Sequence, residues 1–172
     1  GLPYPPHEFG AQYDGDTWDT NKLREIGMLL TLDNNCKNAT EAEFDANNIV
    51  QWGFAPQFSE VRGYVPMFGA GHPFNDQGTA VLPDSYAAGF PWFYNGMWTD
   101  HFIPNGAQRD AMPDGNTFAS GQVAMVNAHL WYTCCAGDND CDIAVVPSYN
   151  GVHTAKLHDD SFRILKASKH PA

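Results

Sequence analysis

Basic residues are scarce in this sequence. Its 172 residues include 9 Lys and Arg against 20 Asp and Glu, which gives a formal net charge of −11 at pH 7. Non-specific binding to nucleic acids or to anionic membranes depends on clustered positive charge, so the composition argues against both functions. The sequence also lacks any apolar run near the roughly 18 residues that a membrane-spanning helix requires.

Motifs for metal-dependent or nucleophilic catalysis are also missing. No Cys or His pair has the spacing of a zinc site, no two histidines form H-E-x-x-H, and no G-x-S-x-G segment is present. Asp138, Asp140 and Asp142 alternate as calcium ligands do, but the glycine and the distant glutamate of an EF-hand loop are absent. We therefore expect no metal site and no cofactor.

The cysteines leave two alternatives open. Cys134 and Cys135 precede Cys141 by a short polar run, and a bridge from either of them would close a small loop. Adjacent cysteines rarely bond to each other without strain, so a second bridge would need a distant partner such as Cys36. The alternative is reduced thiols. Bridges would imply an oxidising, extracytoplasmic compartment.

What is abundant is apolar and aromatic residues. Hydrophobic residues make up 43% of the chain, aromatic residues 13% and charged residues 17%, which is typical of a globular protein. A length of 172 residues corresponds to about one domain at roughly 150 residues each. We expect residues 1–172 to form a single domain.

Hydrophobic periodicity predicts two main helices. The first begins at 17–19, with Thr17 as its cap and Asp19 in its first turn, and places Leu23, Ile26 and Leu30 on one face. The second begins at Asp84 or Ser85 and is kinked by Pro91. Its expected apolar face consists of Tyr86, Phe90, Phe93 and Met97.

Strands are expected between these helices. Short apolar runs rich in β-branched residues predict strands at 49–54, 123–127, 142–147 and 162–165. Residues 56–68 have helical spacing, and 118–121 are typical of the end of a short helix with a glycine cap. Alternating strands and helices indicate an α/β fold, with a sheet covered by helices.

Trp131 is the strongest candidate for ligand contact. It closely follows the predicted strand 123–127, where loops commonly build binding sites. The flat faces of aromatic side chains stack on pyranose rings, while Asp, Asn, Gln and Glu bond the hydroxyl groups. The pattern therefore favours carbohydrate binding, although core packing is the usual role of a tryptophan.

Several motifs, in order along the chain, resemble extracellular solute-binding proteins of ABC sugar importers, the broad family that includes the maltose-binding protein. Segment 118–125 (FASGQVAM) with Trp131 resembles the family's F-x-x-G-x-x-A-M helix end and stacking tryptophan. Segment 142–147 (DIAVVP) with Gly151 resembles its V-x-P strand and glycine turn. Trp18 to Asp33, 52–54 (WGF), 68–71 (FGAG) and 168–171 (SKHP) resemble further family segments.

The resemblance implies one lobe of a type II periplasmic-binding-protein-like fold, with a mixed sheet flanked by helices. It implies that residues 1–172 are an excised second, C-terminal-type lobe, without the first lobe, signal peptide and lipid anchor expected of the parent. Its implied function is non-enzymatic: it would bind a mono- or oligosaccharide between two lobes, outside the cytoplasm, and deliver it to an ABC permease. The residues expected to contact the sugar are Trp131, Phe54, Gln57, Phe68 and His129.

One departure from the family pattern bears on specificity. His129 and Leu130 replace the Gly-Pro pair that precedes the stacking tryptophan, which argues against maltodextrin-type specificity. Two alternatives remain open beside sugar binding. One is a small secreted hydrolase that uses Asp159 or Asp160 with a histidine, and the other is an interaction module built on exposed aromatic residues.

Overall fold

The computed structural model describes residues 1–56, 65–113, 117–157 and 166–169, except for the side chain of Cys134. Within these ranges, the predicted α/β class is confirmed. A three-stranded mixed sheet has the order β3-β4-β5, where β3 is Leu32–Asp33, β4 is Ile49–Pro56 and β5 is Val123–Asn127. β3 pairs with β4 in antiparallel fashion, and β4 pairs with β5 in parallel fashion.

A hairpin precedes the first helix. Its strands are β1 (Gln12–Tyr13) and β2 (Asp16–Thr17). Asp14 and Gly15 connect them with φ values of 49° and 87°. Two consecutive left-handed residues are what a two-residue type I′ turn requires, and an Asp-Gly pair adopts them readily.

The first predicted helix is confirmed as α1, Thr20–Leu30. Its cap differs from the prediction, because Asp19 is the N-cap and accepts hydrogen bonds from the backbone N–H groups of Asn21 and Lys22. Thr17 lies in β2 instead. Leu23 and Ile26 are buried against the sheet.

Gly27 of α1 and Gly53 of β4 bring their two backbones together. A Cβ added to Gly53 would overlap the Gly27 carbonyl and lie 2.6 Å from the Gly27 Cα. Thr31 supports this approach, since its hydroxyl donates to the Gly27 carbonyl at 2.8 Å and accepts from the Gly53 N–H at 2.9 Å. The helix α1 is therefore held directly on strand β4.

The second predicted helix is confirmed as α2, Asp84–Trp98, and contains Pro91. The predicted apolar face is only partly right. Phe93 is buried, but Phe90 is 40% exposed and the other fully buried positions are Ser85, Gly89 and Gly96. A Cβ on Gly96 would lie 2.6 Å from Ile103 Cδ1, so the helix packs closely through its small residues. Larger side chains are displaced outward, and Phe90, Tyr94 and Trp98 are exposed.

The core around α1, α2 and the sheet is strongly aromatic. The Trp92 ring contacts Phe54, Phe68 and Phe102, with ring centroids 6.0, 5.6 and 5.3 Å away. Its Nε1 donates to the Thr20 carbonyl at 3.2 Å. The 3-10 helix Val65–Phe68 packs against α2 and completes this core. A five-residue helix, α3 (Gly106–Asp110), follows with a capping box.

The strand predicted at 142–147 is wrong. This segment joins no ladder with β3, β4 or β5; instead the Val145 N–H donates to the Pro6 carbonyl, and Trp18 Nε1 donates to the Val145 carbonyl at 2.9 Å. The backbone of this segment thus forms hydrogen bonds with the N-terminal segment and with the Trp18 side chain, and not with a neighbouring strand. Residues 118–121 were expected to end a short helix: 117–120 form a turn, and Gly121 follows with a φ of 72°, as a glycine cap requires, while 114–116 lie outside the described residues. The strand predicted at 162–165 lies outside the described residues.

Candidate ligand-binding site

A groove of about 370 Å³ opens where the two parallel strands end. β4 and β5 terminate side by side at Pro56 and Asn127, which are partners in the ladder. Ligands of open α/β sheets bind beyond the carboxyl ends of the strands, where the chain leaves the sheet. The lining of this groove includes 124–130, Tyr132, Thr133, 140–147 and the N-terminal Tyr4 and Pro5.

The floor of the groove belongs to the hydrophobic core. Phe54, Leu23 and Met67 line it, and each is at most 3% exposed. Trp18 also reaches the groove, with its indole N–H already bonded to the Val145 carbonyl. Such a floor offers rigid apolar surface and no free charge.

The aromatic rim lies on the 3-10 helix Leu130–Cys135, directly after β5. Trp131 is 52% exposed, and the residues on both sides of it line the groove. Its ring stacks on that of His129, with centroids 6.0 Å apart and planes 22° apart, and lies edge-on to Tyr132 at 6.2 Å. The indole is thus accessible beside the groove.

Polar side chains alternate with this apolar surface. Asn127, Thr133 and Asp140 line the groove and can donate or accept hydrogen bonds. Asp142 lies 3.2 Å from His7 Nε2, and both side chains are 57% exposed. The combination of an apolar floor, an aromatic rim and a few hydrogen-bonding groups suits a neutral ligand with hydroxyl groups.

A second cavity, of about 360 Å³, lies on the other side of the Val65–Phe68 helix end. We name it the Phe68 cavity, and its lining includes Phe68, Gly69, Asp84, Tyr149, Asn150 and Thr154. The rings of Phe68 and Tyr149 meet edge to face, 5.1 Å apart. Met67 faces the groove and Phe68 faces this cavity, so two adjacent residues contribute to different sites.

The structure brings together part of the predicted site. His129 and Phe54 line the groove, whereas Phe68 lines the separate Phe68 cavity. Trp131 does not line the groove itself, but its ring contacts the lining residues His129 and Tyr132. Phe54 is 3% exposed and can form only the floor. Gln57 lies outside the described residues. The proposed sugar contacts of all five residues stay predictions.

Several lining residues were not predicted. Asn127 and Tyr132 belong to the groove, as do Tyr4 and Pro5 from the N-terminal segment. A signal for Asn127 was available, since it is a polar residue at the end of an apolar strand. No sequence pattern indicates Tyr4, because its place depends on the distant bond between Pro6 and Val145.

Three expectations about disulfides, metal sites and membrane helices can be compared with the structure. Cys36 and Cys141 are exposed free thiols, so neither the bridge to Cys141 nor the one to Cys36 is formed. Among the residues that the structure describes, no group of three or more His, Cys, Asp or Glu side chains is arranged to hold a metal ion. In the same ranges, no helix has the length and apolar character needed to cross a membrane.

Two solved structures share this architecture. The M. tuberculosis UspC crystal structure matches with a TM-score of 0.63 and 22% identity over 83% of this chain. The maltose/maltodextrin-binding domain MalE from Bdellovibrio bacteriovorus, bound to maltotriose, matches with a TM-score of 0.56 and 19% identity over 90% of it. No protein-family model and no curated protein sequence matches the chain.

The match covers only part of each neighbour. This chain spans 36% of the length of UspC and 36% of the length of MalE. Identities of this size indicate a common fold and nothing finer. The chain has the mixed α/β fold of one lobe of a periplasmic-binding-protein-like structure, as the sequence motifs implied.

Proposed function

We propose that this chain is the carbohydrate-binding lobe of a solute-binding protein that serves an ABC transporter. The observation that carries the proposal is the groove at the carboxyl ends of β4 and β5, which has an apolar floor. The half-exposed Trp131 is stacked on His129, one of the lining residues. A neighbour with the same fold is a maltodextrin-binding domain bound to maltotriose. The role is binding, without a chemical step.

The ligand is a neutral mono- or oligosaccharide. Trp131 would stack on the apolar face of a pyranose ring, while His129 and Asn127 bond its hydroxyl groups. An anionic ligand would be repelled by the surplus of carboxylates, since the net charge is −11. Leu130 lies between the stacking residue and His129 at 75% exposure, and would form the outer edge of the site.

Binding in the parent protein takes place between two lobes. A first lobe would clamp the sugar from the opposite side, and hinge closure would signal the permease in the membrane, outside the cytoplasm. The lone lobe provides only part of the contacts, so we expect millimolar affinity. A micromolar dissociation constant for this chain alone would contradict the interlobe arrangement.

Saccharide titration followed by tryptophan fluorescence and amide chemical shifts tests the proposal. The probes are maltotriose, trehalose, D-glucose and D-galactose at up to 100 mM. We expect at least one to shift the amides of 127–133, and Trp131→Ala to weaken its binding at least fivefold. Trp98→Ala is the matched control, because Trp98 on α2 is 54% exposed and lies outside the groove lining. Equal losses in the two variants, or no shift with any probe, would refute the proposal.

The hydrolase alternative rests on Asp159 and Asp160, which lie outside the described residues.

The transport role has its own test. Deletion of the gene that encodes the chain should abolish cellular uptake of the saccharide that binds, and a variant gene carrying Trp131→Ala should restore it only in part. Unchanged uptake after deletion would separate sugar binding from transport.

A further inference from the structure

A proline-rich segment, residues 3–6, contributes to the groove lining and is anchored at both ends; we name it the proline strap. At one end, the Tyr13 hydroxyl donates to the Pro3 carbonyl at 3.0 Å. At the other end, the Val145 N–H donates to the Pro6 carbonyl at 3.0 Å. Three of the four residues are prolines, whose rings fix φ at about −65°. The proline strap therefore has little backbone freedom between its two anchors.

Both anchors join the proline strap to the body of the groove. Tyr13 is 6% exposed, and its ring stacks on that of Trp18 with centroids 5.7 Å apart. Trp18 lines the groove and donates its indole N–H to the Val145 carbonyl at 2.9 Å. The two backbone groups of Val145 are thus bonded to the strap on one side and to a lining residue on the other. The strap is therefore a fixed wall of the groove.

Tyr4 is the exposed aromatic residue of this wall. It lines the groove and is 78% exposed. Trp18, Phe54 and Tyr132 also line the groove, but each of them is at most 5% exposed. Trp131 is half-exposed but does not line the groove itself. Among these five side chains, only Tyr4 combines an accessible ring with a place in the lining.

An aromatic ring held in this way suits a saccharide. A tyrosine buries about 150–250 Å² when it is covered, and only two side-chain torsions have to be fixed, so the entropic cost of ordering it is low. Because the strap is already bonded at Pro3 and Pro6, ligand binding does not have to order its backbone. The C–H face of a pyranose ring can then stack on the tyrosine ring.

We propose that Tyr4 is a ligand-contacting residue of the groove, which stacks on a neutral saccharide ring, and that Tyr13 positions it through the Pro3 carbonyl. The ligand class rests on the proposed function. The location rests on the groove lining and on the two anchors of the proline strap. The strap is then part of the binding site, although it lies more than 120 positions before the 3-10 helix that carries Trp131.

Saccharide titrations followed at the amides of 127–133 measure the contribution of Tyr4. The probes are maltotriose, trehalose, D-glucose and D-galactose at up to 100 mM. We expect Tyr4→Ala to raise the dissociation constant of a probe that binds at least fivefold, and Tyr4→Phe, which keeps the ring, to leave it within twofold. Tyr94→Ala is the matched control and should also stay within twofold, because Tyr94 on α2 is 61% exposed and lies outside the groove lining.

Tyr13→Phe tests the positioning role. It removes the hydroxyl that holds Pro3 and keeps the ring that stacks on Trp18. We expect the dissociation constant to rise at least threefold and the heteronuclear NOE of the Tyr4 amide to fall. In a Tyr4→Ala background, the same change should alter the dissociation constant by less than 1.5-fold, because its effect passes through the Tyr4 ring. Equal fold-changes in both backgrounds would contradict the positioning role.

The outcomes separate this contact from the proposed function. No shift with any probe refutes the proposed function and the Tyr4 contact together. A probe that binds, with a loss below fivefold in Tyr4→Ala or an equal loss in Tyr94→Ala, overturns the Tyr4 contact alone. An equal loss in Tyr4→Phe and Tyr4→Ala would overturn stacking, since the hydroxyl group would then carry the contact. A fivefold loss confined to Tyr4→Ala supports the contact, even where Trp131→Ala has no effect.

Discussion

The contact between Gly27 and Gly53 makes a strong prediction about stability. A methyl group in Gly53→Ala would lie 2.6 Å from the Gly27 Cα, where ordinary van der Waals contacts are 3.4–4 Å. The obstacle is helix backbone, which cannot rotate away as a side chain can. Overpacking of a core costs about 1–3 kcal/mol, and we expect the upper end, about 3 kcal/mol. For a chain of this size, that loss corresponds to a drop of roughly 6–12 °C in melting temperature.

Urea denaturation and thermal melting, both followed by circular dichroism, measure this effect. Gly106→Ala is the control, because Gly106 has no atom within 4 Å of an added Cβ and stands at the first position of α3. We expect that variant to be neutral or slightly stabilised, by up to about 1 kcal/mol. A loss below about 1 kcal/mol in Gly53→Ala would refute the direct backbone contact between α1 and β4.

Three other expectations concern a helix cap, a buried carboxylate and the thiols. Asp19→Ala should lower the free energy of unfolding by about 1 kcal/mol in urea titrations, because two helix N–H groups lose their acceptor; an unchanged midpoint would contradict the cap. Burial acts to raise the pKa of Asp33, but three backbone N–H donors outweigh it and hold this pKa below its ordinary value of 3.8. The ionised Asp33 carboxylate therefore stabilises the fold above about pH 4, and this stabilisation is lost as the pH falls through the folded pKa. Between pH 5 and pH 2, the melting temperature of Asp33→Asn should therefore fall less than that of the wild type. The thiols of Cys36 and Cys141 should react with a thiol reagent in the native protein, and protection of either until denaturation would contradict its exposure.

Local patterns were sufficient where one element carries its own signal. The apolar β-branched runs predicted β4 and β5, and the 3.6-residue period of Leu23 and Ile26 predicted α1. The hairpin at Asp14 and Gly15 was missed, although an Asp-Gly pair is a strong turn signal. Its strands have only two residues each, too few for any alternating pattern to appear.

Patterns failed where packing partners decide the outcome. In α2, the large residues suggested an apolar face. The buried positions include Gly89 and Gly96 instead, because small residues let the helix pack more closely. In 142–147, a strand-like composition was overridden by bonds to Pro6 and Trp18, residues more than 120 positions away. Such long-range choices leave no local trace in the sequence.

The candidate site divides in the same way. Trp131 was predicted because it is an aromatic residue that follows a strand; the structure shows it half-exposed and stacked on His129, and its contact with a ligand stays a prediction. Phe68 was also predicted, but as part of one site with Trp131; it lines a separate cavity instead. The partition between Met67 and Phe68 depends on how a short 3-10 helix is oriented against α2, which composition does not reveal.

The parallel pairing of β4 with β5 has a consequence for biosynthesis. Residues 57–122, 66 in all, separate the end of β4 from the start of β5. A ribosome that adds roughly 5–20 residues per second needs about 3–13 s to make them. During that time the edge of β4 that later pairs with β5, at Trp52, Phe54 and Ala55, is exposed to pairing with other chains. Until 123–127 emerge, this unpaired strand edge is the place where two nascent copies of the chain can pair wrongly.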